Sequence, residues 1–489
     1  MHSAPSATST ETWRTAAFLL LLVAGSILVR VPFFPVPMVA DEGGYAYVAK
    51  FWTSDFQLYR DIPFDRPQAI FFLYRLGFAT FGTDTFGIRL FAAFYNAATV
   101  LAMFLLCRRA LGRTEAWLAA ILLAVFGASP RIEGFTANAE LYMLLPIVVS
   151  AHLAWNRHWL WAGFAGAMAV LLKPSGGSAL LLAFVWALHA RAGLRAWIQM
   201  GAGAAVGIAP SVAHGLWVGS DHFLESLYLR LDLYDGQSMS IANQWDTFEA
   251  GLRRTVSAWA FLGIAASLAA LKAPGPARLF GGLWLGFSVL GLAAGGWWRP
   301  HYFMQLTPPL AFLAAMGLRQ LRPTVNGFAW GAALAFGLML FLQRDVALSQ
   351  RDPDAISWEL FRRPGYILGE EIADYVRGTT REGDTMYVAF AQADLYYLAS
   401  RRGAAPQYYY LLAESSKKSF DSVIAAIEAR DPAVVVWIQQ PPQNRMSAAD
   451  FQAILERGYA RDREFTIPQN ENDPIVVFRR KPSDAIASS

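Results

Sequence analysis

Two adjacent carboxylates, Asp41 and Glu42, follow the first apolar segment of the chain. They come directly before Gly43 and Gly44, which would let the backbone turn. They lie where the chain would leave a membrane, and a carboxylate at a bilayer surface is costly to desolvate. One interpretation is a general base that faces a lipid-borne substrate. The alternative is a solvated helix start with Asp41 as the N-cap. Position alone favours neither.

Other charged and polar side chains recur at the ends of later apolar segments. They are Arg30, Arg66, Arg131, Glu133, Asn138, Glu140, Lys173, Arg299, His301 and Gln305. If the ends that carry them face one side of a membrane, they form a single pocket lined by acidic and basic groups. Structural alternatives exist. Arg30 and Lys173 could be interface anchors whose charged ends snorkel, and Arg299 and His301 could belong to an aromatic belt.

The composition is that of a helical membrane protein. Of the 489 residues, 55% are hydrophobic and 16% are charged, whereas charged residues make up about a quarter of a typical soluble protein. The formal net charge is only +4 and the sequence has no basic run, so a nucleic-acid partner is not expected. The single cysteine, Cys107, lies in an apolar run, and one cysteine excludes an intrachain disulfide.

Eleven apolar runs come close to the roughly 20 residues that a helix needs to cross the hydrocarbon core. They cover 14–33, 86–106, 115–130, 138–155, 159–173, 177–190, 196–218, 252–271, 277–296, 303–319 and 324–342. Short connections rich in arginine follow the even-numbered runs. The positive-inside rule places these connections and the N-terminus in the cytoplasm. The odd-numbered connections and the C-terminal tail then face the opposite side.

Three parts of the chain are predicted from these patterns. Residues 1–13 are expected to be a disordered cytoplasmic N-terminus, and residues 14–344 a transmembrane domain whose loop 34–85 carries interfacial helices. Residues 345–489 alternate β-rich runs with helical patterns, which predicts a soluble α/β domain. The β-rich runs are 385–390, 407–411, 433–438, 463–467 and 475–478. This part has no glycine-rich phosphate loop, so we expect a lid or an acceptor-docking module.

The combination of acidic and basic groups suits glycosyl transfer from a polyprenyl phosphate. Departure of the lipid phosphate needs positive charge nearby. The candidate groups are Arg30, Arg66, Lys173, Arg299 and His301. The acceptor hydroxyl needs a base, and Asp41 is the candidate, with Glu42 beside it in the catalytic group. Glu140 could orient the acceptor, share the base role or help to hold a metal. One displacement with one base predicts inversion at the anomeric carbon.

Four short stretches occur in order along the chain. They are Ala40-Asp41-Glu42, Asp65-Arg66-Pro67-Gln68, Asn138-Ala139-Glu140 and Arg299-Pro300-His301-Tyr302. Together they resemble the Asp-Glu signature, the basic-proline stretch, the second acidic site and the late His/Arg-Tyr motif of the GT-C fold glycosyltransferases. The likeness is to the protein O-mannosyltransferase and lipid A aminoarabinose transferase group, glycosyltransferase family 39. This sequence has Arg66 where the family often has lysine, and Gln68 where it often has a second proline.

The resemblance implies an α-helical polytopic membrane protein of the GT-C type, with Asp41 as the catalytic base. The residues it implies for binding the donor phosphate are Arg66, Lys173, Arg299, His301 and Tyr302. It also implies a bacterial inner (plasma) membrane setting with a periplasmic active site. The expected partners are a polyprenyl-phosphate sugar donor, a glycan, lipid or protein acceptor, and membrane lipids. The sequence demands no cofactor, and a divalent cation held by Asp41 and Glu140 stays open.

Three other functions compete with glycosyl transfer. They are a lipid-linked sugar flippase or transporter, a receptor whose C-terminal part binds a partner, and an oligosaccharide polymerase or ligase that uses a diphosphate-linked glycan. Transport usually needs ionisable groups or broken helices near the bilayer midplane. The eleven runs place almost no charge at that depth, which disfavours the transporter. A polymerase or ligase would differ in its lipid product.

Overall fold

The protein is described by a computed structural model that covers most of the chain. The described residues are 9–233, 241–272, 275–294, 296–321, 327–389, 392–405, 417–438, 448–469, 471–472 and 474–482. They form two compact units, each assembled from separated segments. The first unit comprises Met1–Phe34, Thr80–Pro210 and Gln244–Gln350, and the second comprises Pro35–Ala79, Ser211–Asn243 and Arg351–Ser489.

Helices dominate the chain up to residue 349. They are α1 (Ser9–Leu28), α2 (Ala40–Phe51), α3 (Ala69–Phe81), α4 (Thr85–Ala110), α5 (Arg113–Phe126), α6 (Ala139–Trp155), α7 (Trp159–Leu172), α8 (Ser178–His189), α9 (Leu194–Val218), α10 (Ser220–Leu233), α11 (Ile241–Lys272), α12 (Pro276–Ala293), α13 (Thr307–Leu321) and α14 (Gly327–Ser349). Short 3₁₀ helices occur at Val31–Phe33, Pro130–Ile132, Pro174–Gly177 and Pro300–Leu306. Each of these four has proline in its first two positions, where the fixed φ of proline suits a helix start.

Each of the eleven predicted apolar runs overlaps a helix. Among the described residues, five helical segments are long and apolar enough to cross a bilayer. These five are Trp13–Phe33, Thr85–Ala110, Leu194–Val218, Pro276–Ala293 and Trp330–Ser349. Shorter apolar helices include Ala139–Trp155 and Trp159–Leu172. The count of eleven spans therefore stays a prediction. Many large apolar side chains on these helices are exposed, among them Leu20, Leu105 and Leu290, as expected where lipid is the solvent.

In the C-terminal part of the second unit, the described residues form a five-stranded mixed sheet. Its strands are β1 (Thr385–Ala389), β2 (Arg402–Gly403), β3 (Val434–Trp437), β4 (Tyr459–Phe465) and β5 (Ile475–Arg480), in the order β2-β1-β3-β5-β4. β1 is parallel to β2 and β3, whereas β5 is antiparallel to β3 and β4. The helices around it are α15 (Pro353–Phe361), α16 (Pro364–Ile367), α17 (Gly369–Thr379), α18 (Asp394–Leu398), α19 (Lys417–Arg430) and α20 (Ala448–Gly458).

The central strands form because their residues are β-branched and buried. All four residues of β3 are buried, and Tyr387, Val435 and Phe478 belong to one apolar cluster on the sheet. Four of the five predicted β-rich runs overlap strands, and the run 407–411 lies outside the described residues. The two-residue strand β2 was not expected. That this part forms a soluble domain of its own stays a prediction, as do the domain boundaries.

The predicted interfacial loop belongs to the same compact unit as this sheet over the range Pro35–Ala79. Its two helices, α2 and α3, pack through aromatic rings. The ring of Tyr45 lies 5.7 Å from that of Phe64 and 5.8 Å from that of Tyr74, measured between centroids. Such aromatic clusters hold short helices that would be marginal in isolation. α2 is the element that carries Asp41 and Glu42.

Candidate functional site

Asp41 and Glu42 occupy the first turn of α2 but have different surroundings. The Glu42 side chain is buried, and its Oε2 accepts a hydrogen bond from the backbone N–H of Val39 at 3.4 Å. Val39 is the N-cap, so the alternative in which Asp41 caps the helix is wrong. Asp41 is half-buried. Of the two carboxylates, Asp41 is the one open to a substrate.

Arg66 lies in the loop between α2 and α3 and is paired with its neighbour. Its Nη1 is 2.5 Å from Oδ2 of Asp65, and both side chains are buried. The Tyr59 hydroxyl donates to the Arg66 carbonyl at 2.9 Å and fixes the backbone. Because Asp65 offsets the charge of Arg66, the pair offers a phosphate less net positive charge than an isolated guanidinium would. A role for Arg66 in phosphate binding stays a prediction.

The first unit brings Glu140, Lys173 and Tyr302 together. Glu140 stands in the first turn of α6, and Lys173 follows the last residue of α7. The Lys173 ammonium forms a salt bridge with Glu140, whose side chain is 3% exposed, while that of Lys173 is 6% exposed. Lys173 Nζ also lies 3.6 Å from the centre of the Tyr302 ring. The lysine is therefore held by a carboxylate on one side and an aromatic face on another.

His301 joins this group through a second carboxylate, Glu133. His301 Nδ1 is 2.9 Å from Glu133 Oε2, and its Nε2 is 3.8 Å from Glu140 Oε1. The amide of Asn138 donates to the same Glu133 oxygen at 3.1 Å. Glu133 adopts a left-handed backbone conformation, φ 55°, which costs roughly 1–3 kcal/mol in a non-glycine residue. The contacts of Glu133 with Asn138 and His301 help to hold the backbone of this turn in that conformation.

Glu133 was not among the predicted catalytic or phosphate-binding residues, although it comes in the same turn as Glu140. The sequence signal was its position seven residues earlier, in the stretch Arg131–Glu140. Its partners come from that turn and from the 3₁₀ helix Pro300–Leu306. The resulting set of buried groups, Glu133, Glu140, Lys173, His301 and Tyr302, is called the buried charge cluster below.

Two arginines of the first unit are candidates for the donor phosphate, Arg299 and Arg30, and their surroundings differ. Arg299 precedes the 3₁₀ helix Pro300–Leu306, is half-buried, and has its guanidinium 5.8 Å from the Trp297 ring centre. Arg30 is buried and donates from Nε to the Gly134 carbonyl at 2.9 Å. It ties the end of α1 to the turn that carries Glu133. Arg30 is therefore not a snorkelling anchor. Arg299 does have an aromatic neighbour, and its role at the donor phosphate stays a prediction.

In the part of the chain that the structure describes, no group of three or more histidine, cysteine or acidic side chains is arranged to hold a metal ion. The first unit gathers Glu140, Lys173, His301 and Tyr302, and the second contains Asp41, Glu42 and Arg66.

Comparisons with known proteins agree with this architecture. The family model described as dolichyl-phosphate-mannose-protein mannosyltransferase matches residues 65–217. The fold is similar to that of ArnT from Cupriavidus metallidurans bound to undecaprenyl phosphate, with a TM-score of 0.61, 16% identity, and coverage of 96% of this chain and 98% of that chain. The chain has the GT-C glycosyltransferase fold. The oligosaccharyltransferase of Archaeoglobus fulgidus is also similar, with a TM-score of 0.51, 12% identity, and coverage of 97% of this chain and 75% of that one.

The GT-C fold confirms the resemblance read from the four sequence stretches. It also agrees with a multi-pass membrane protein, since the apolar helices and the similar structures point the same way. No curated protein matches the sequence. At identities of 12–16% the similarity concerns the fold, so the roles of individual residues depend on the geometry of this chain.

Proposed function

We propose that this GT-C protein transfers a sugar from a polyprenyl-phosphate donor to an acceptor hydroxyl, with inversion at the anomeric carbon. The observation that carries the proposal is the half-buried Asp41, set beside the buried Glu42 at the start of α2 in a chain of this fold. An accessible carboxylate next to one committed to the helix start is suited to taking a proton from a substrate. ArnT, which has the same fold, is known with undecaprenyl phosphate bound.

The reaction in this proposal is a single displacement. The acceptor oxygen attacks the anomeric carbon and the bond from that carbon to the phosphate oxygen breaks. The hydroxyl proton passes to the carboxylate of Asp41, and the electron pair leaves on the polyprenyl phosphate. One attack from the face opposite the leaving group inverts the configuration.

Positive charge near the departing phosphate would lower the barrier. Arg66, Lys173, Arg299 and His301 are the proposed sources, and Tyr302 orders Lys173 through its ring. Glu140 forms a salt bridge with Lys173, so we assign it to positioning that cation. We also assign it to orienting the acceptor. Glu42 is assigned to holding the first turn of α2. The proposed setting is a bacterial inner membrane with a periplasmic active site and C-terminal domain, and a glycan, lipid or protein as acceptor.

The proposal is tested by incubating the purified protein with polyprenyl-phosphate sugars and a membrane extract as acceptor source. We expect a new glycoside and free polyprenyl phosphate in the mass spectrum. A parallel assay in liposomes measures the movement of the lipid-linked sugar across the bilayer. Movement without a new glycosidic bond would contradict the proposal in favour of a flippase. Release of polyprenyl diphosphate in a parallel incubation with a polyprenyl-diphosphate-linked glycan, with no use of the monophosphate donors, would contradict it in favour of a polymerase or ligase. A chelator arm decides whether a divalent cation takes part.

A further inference from the structure

One face of α2 is held at intervals by the C-terminal part of the second unit. The Tyr47 hydroxyl accepts a hydrogen bond from the backbone N–H of Gly403 at 3.0 Å. The same tyrosine ring lies 5.7 Å from the ring of Tyr396. One turn further along, Lys50 donates to the Ser400 hydroxyl at 2.6 Å. The C-terminal half of α2 is therefore fixed by residues 396–403.

The N-terminal end of α2 is fixed in the same way. The backbone of Ala40 is hydrogen-bonded to the hydroxyl of Tyr366. At Gly43 the approach is closer still, because a Cβ atom built there would lie only 2.1 Å from the Cα of Asp394. No side chain fits in that space, so Gly43 is what permits α18 to touch the helix backbone.

The held residues share one side of the helix. They are Ala40, Gly43, Tyr47 and Lys50. Their separations of three and four residues place them on one face at about 100° per residue. Asp41 projects about 140° away from the middle of that face. The C-terminal segment thus contacts this one face of α2, and Asp41 projects from the opposite face.

Asp394 is the unusual member of this contact. Its side chain is fully buried, its Oδ2 accepts from the Gln392 amide at 3.3 Å, and its Oδ1 has no hydrogen-bond partner among the described residues. The titratable groups that interact with it electrostatically are Glu42 on α2, Arg363 before α16, and Tyr366 on α16. Burial, reinforced by the Glu42 carboxylate, raises the pKa of Asp394 to about 8. The group therefore carries a proton at neutral pH.

We propose that Asp394 is a positioning residue: in its neutral form it holds the N-terminal turn of α2, and thereby Asp41, in place for the reaction. Ionisation would put a second negative charge in a buried space beside Glu42, and like charges in such a space repel strongly. The backbones of α2 and α18 already touch at Gly43, so the added repulsion acts directly on the first turn of α2. Loss of the Asp394 proton therefore displaces the turn that presents Asp41.

The activity test rests on the proposed function and compares Asp394→Asn with the wild-type protein between pH 7 and 9. Asparagine has the same shape and cannot ionise. At pH 7 the two transfer rates are expected to be nearly equal. At pH 9 about a tenth of Asp394 remains protonated, so the wild-type rate relative to the variant should fall about tenfold. A ratio that does not change with pH would overturn the proposal. Asp374→Asn, which alters an exposed carboxylate on α17, serves as the control and should keep the wild-type profile.

Hydrogen exchange supplies a readout that needs no sugar donor. Backbone amides of residues 40–47 should lose protection in the wild-type protein between pH 7 and 9, relative to the same amides in Asp394→Asn. Equal protection in the two proteins at every pH would refute the positioning role. If protection changes as expected but no donor is used, the proposed function fails and the positioning role stands. If transfer occurs while protection is unchanged, the proposed function stands and the positioning role fails.

Stability supplies a check on the proton itself. The folded pKa of about 8 lies above the value of roughly 3.9 for an unfolded chain, so the folded state binds more protons between these limits. The stability that this group contributes is present at low pH and is lost as the pH rises towards 8. Asp394→Asn should gain in melting temperature over the wild type progressively from pH 5 to pH 8. A constant difference across that range would show that Asp394 is already ionised and would refute its neutral role.

Discussion

Asp41→Asn is expected to abolish transfer while the protein still folds and inserts. The amide keeps the shape of the carboxylate but cannot take the proton of the acceptor hydroxyl. General-base catalysis typically contributes about 100- to 10,000-fold, and we expect a loss of that size in kcat with little change in KM for the donor. The measurement is the initial rate of polyprenyl-phosphate release from a lipid-phosphate sugar.

The matched control is Asp55→Asn, which changes an exposed carboxylate in the loop that follows α2. It should retain the wild-type rate. Gel filtration and melting temperature establish that both variants are folded. Turnover by Asp41→Asn within a few-fold of the wild type would remove Asp41 as the base. The catalytic role would then have to be sought among the other acidic groups, with Glu140 as the first candidate.

The second large effect is expected at the Glu140–Lys173 salt bridge. Lys173→Met removes the cation and leaves the Glu140 carboxylate buried, a change that typically costs about 3–5 kcal/mol. We expect a loss of that size in the free energy of unfolding, measured by titration with sodium dodecyl sulfate in mixed micelles. Glu140→Gln alone should also destabilise the protein. The double variant Glu140→Gln with Lys173→Met should lose less than the sum of the two, because no unpaired charge then remains.

The control for this pair is Arg253→Met, since Arg253 and Glu249 form an exposed salt bridge four residues apart on α11. Exposed pairs typically contribute about 0–1 kcal/mol. If Lys173→Met lowers the free energy of unfolding no more than Arg253→Met does, the Glu140–Lys173 pair does not hold the buried charge cluster together. Strict additivity in the double variant would argue the same way.

Much of the architecture follows from local sequence. The apolar runs predict the positions of the helices, because a helix that crosses the hydrocarbon core needs about 20 mostly apolar residues. Val434–Trp437 was recognisable as a strand because consecutive β-branched residues suit a strand buried on both faces. The predicted strands also lay at nearly the right positions where the described chain permits comparison.

Pairings between distant residues could not be predicted in this way. The sequence identifies both residues, Glu140 as a group that orients the acceptor, shares the base role or helps to hold a metal, and Lys173 as a phosphate ligand. Only the fold shows that the two side chains form a salt bridge with each other. The pairing of Arg66 with its neighbour Asp65 was available in the sequence, yet adjacency does not determine whether two side chains meet. Asp394 gave no signal, since its character comes from burial against a helix that begins some 350 residues earlier.

The glycine pair after Glu42 shows how a local pattern can have a long-range cause. From the sequence alone, the pair predicts a place where the backbone turns. The structure instead continues α2 through both glycines, and Gly43 gives the room for Asp394. Glycine within a helix is unfavourable by roughly 0.5–1 kcal/mol relative to alanine, so a close contact is a sufficient reason for it. The glycines are therefore structurally important, as the sequence suggests, but Gly43 is needed for a close contact and not for a turn.

The most direct measurement is the anomeric configuration and stoichiometry of the product, determined by nuclear magnetic resonance on a reaction with an isotope-labelled polyprenyl-phosphate sugar. A single displacement assisted by Asp41 predicts one polyprenyl phosphate released for each glycoside formed, and an inverted anomeric centre. Retention of configuration, or consumption of the donor without a new glycoside, would contradict it.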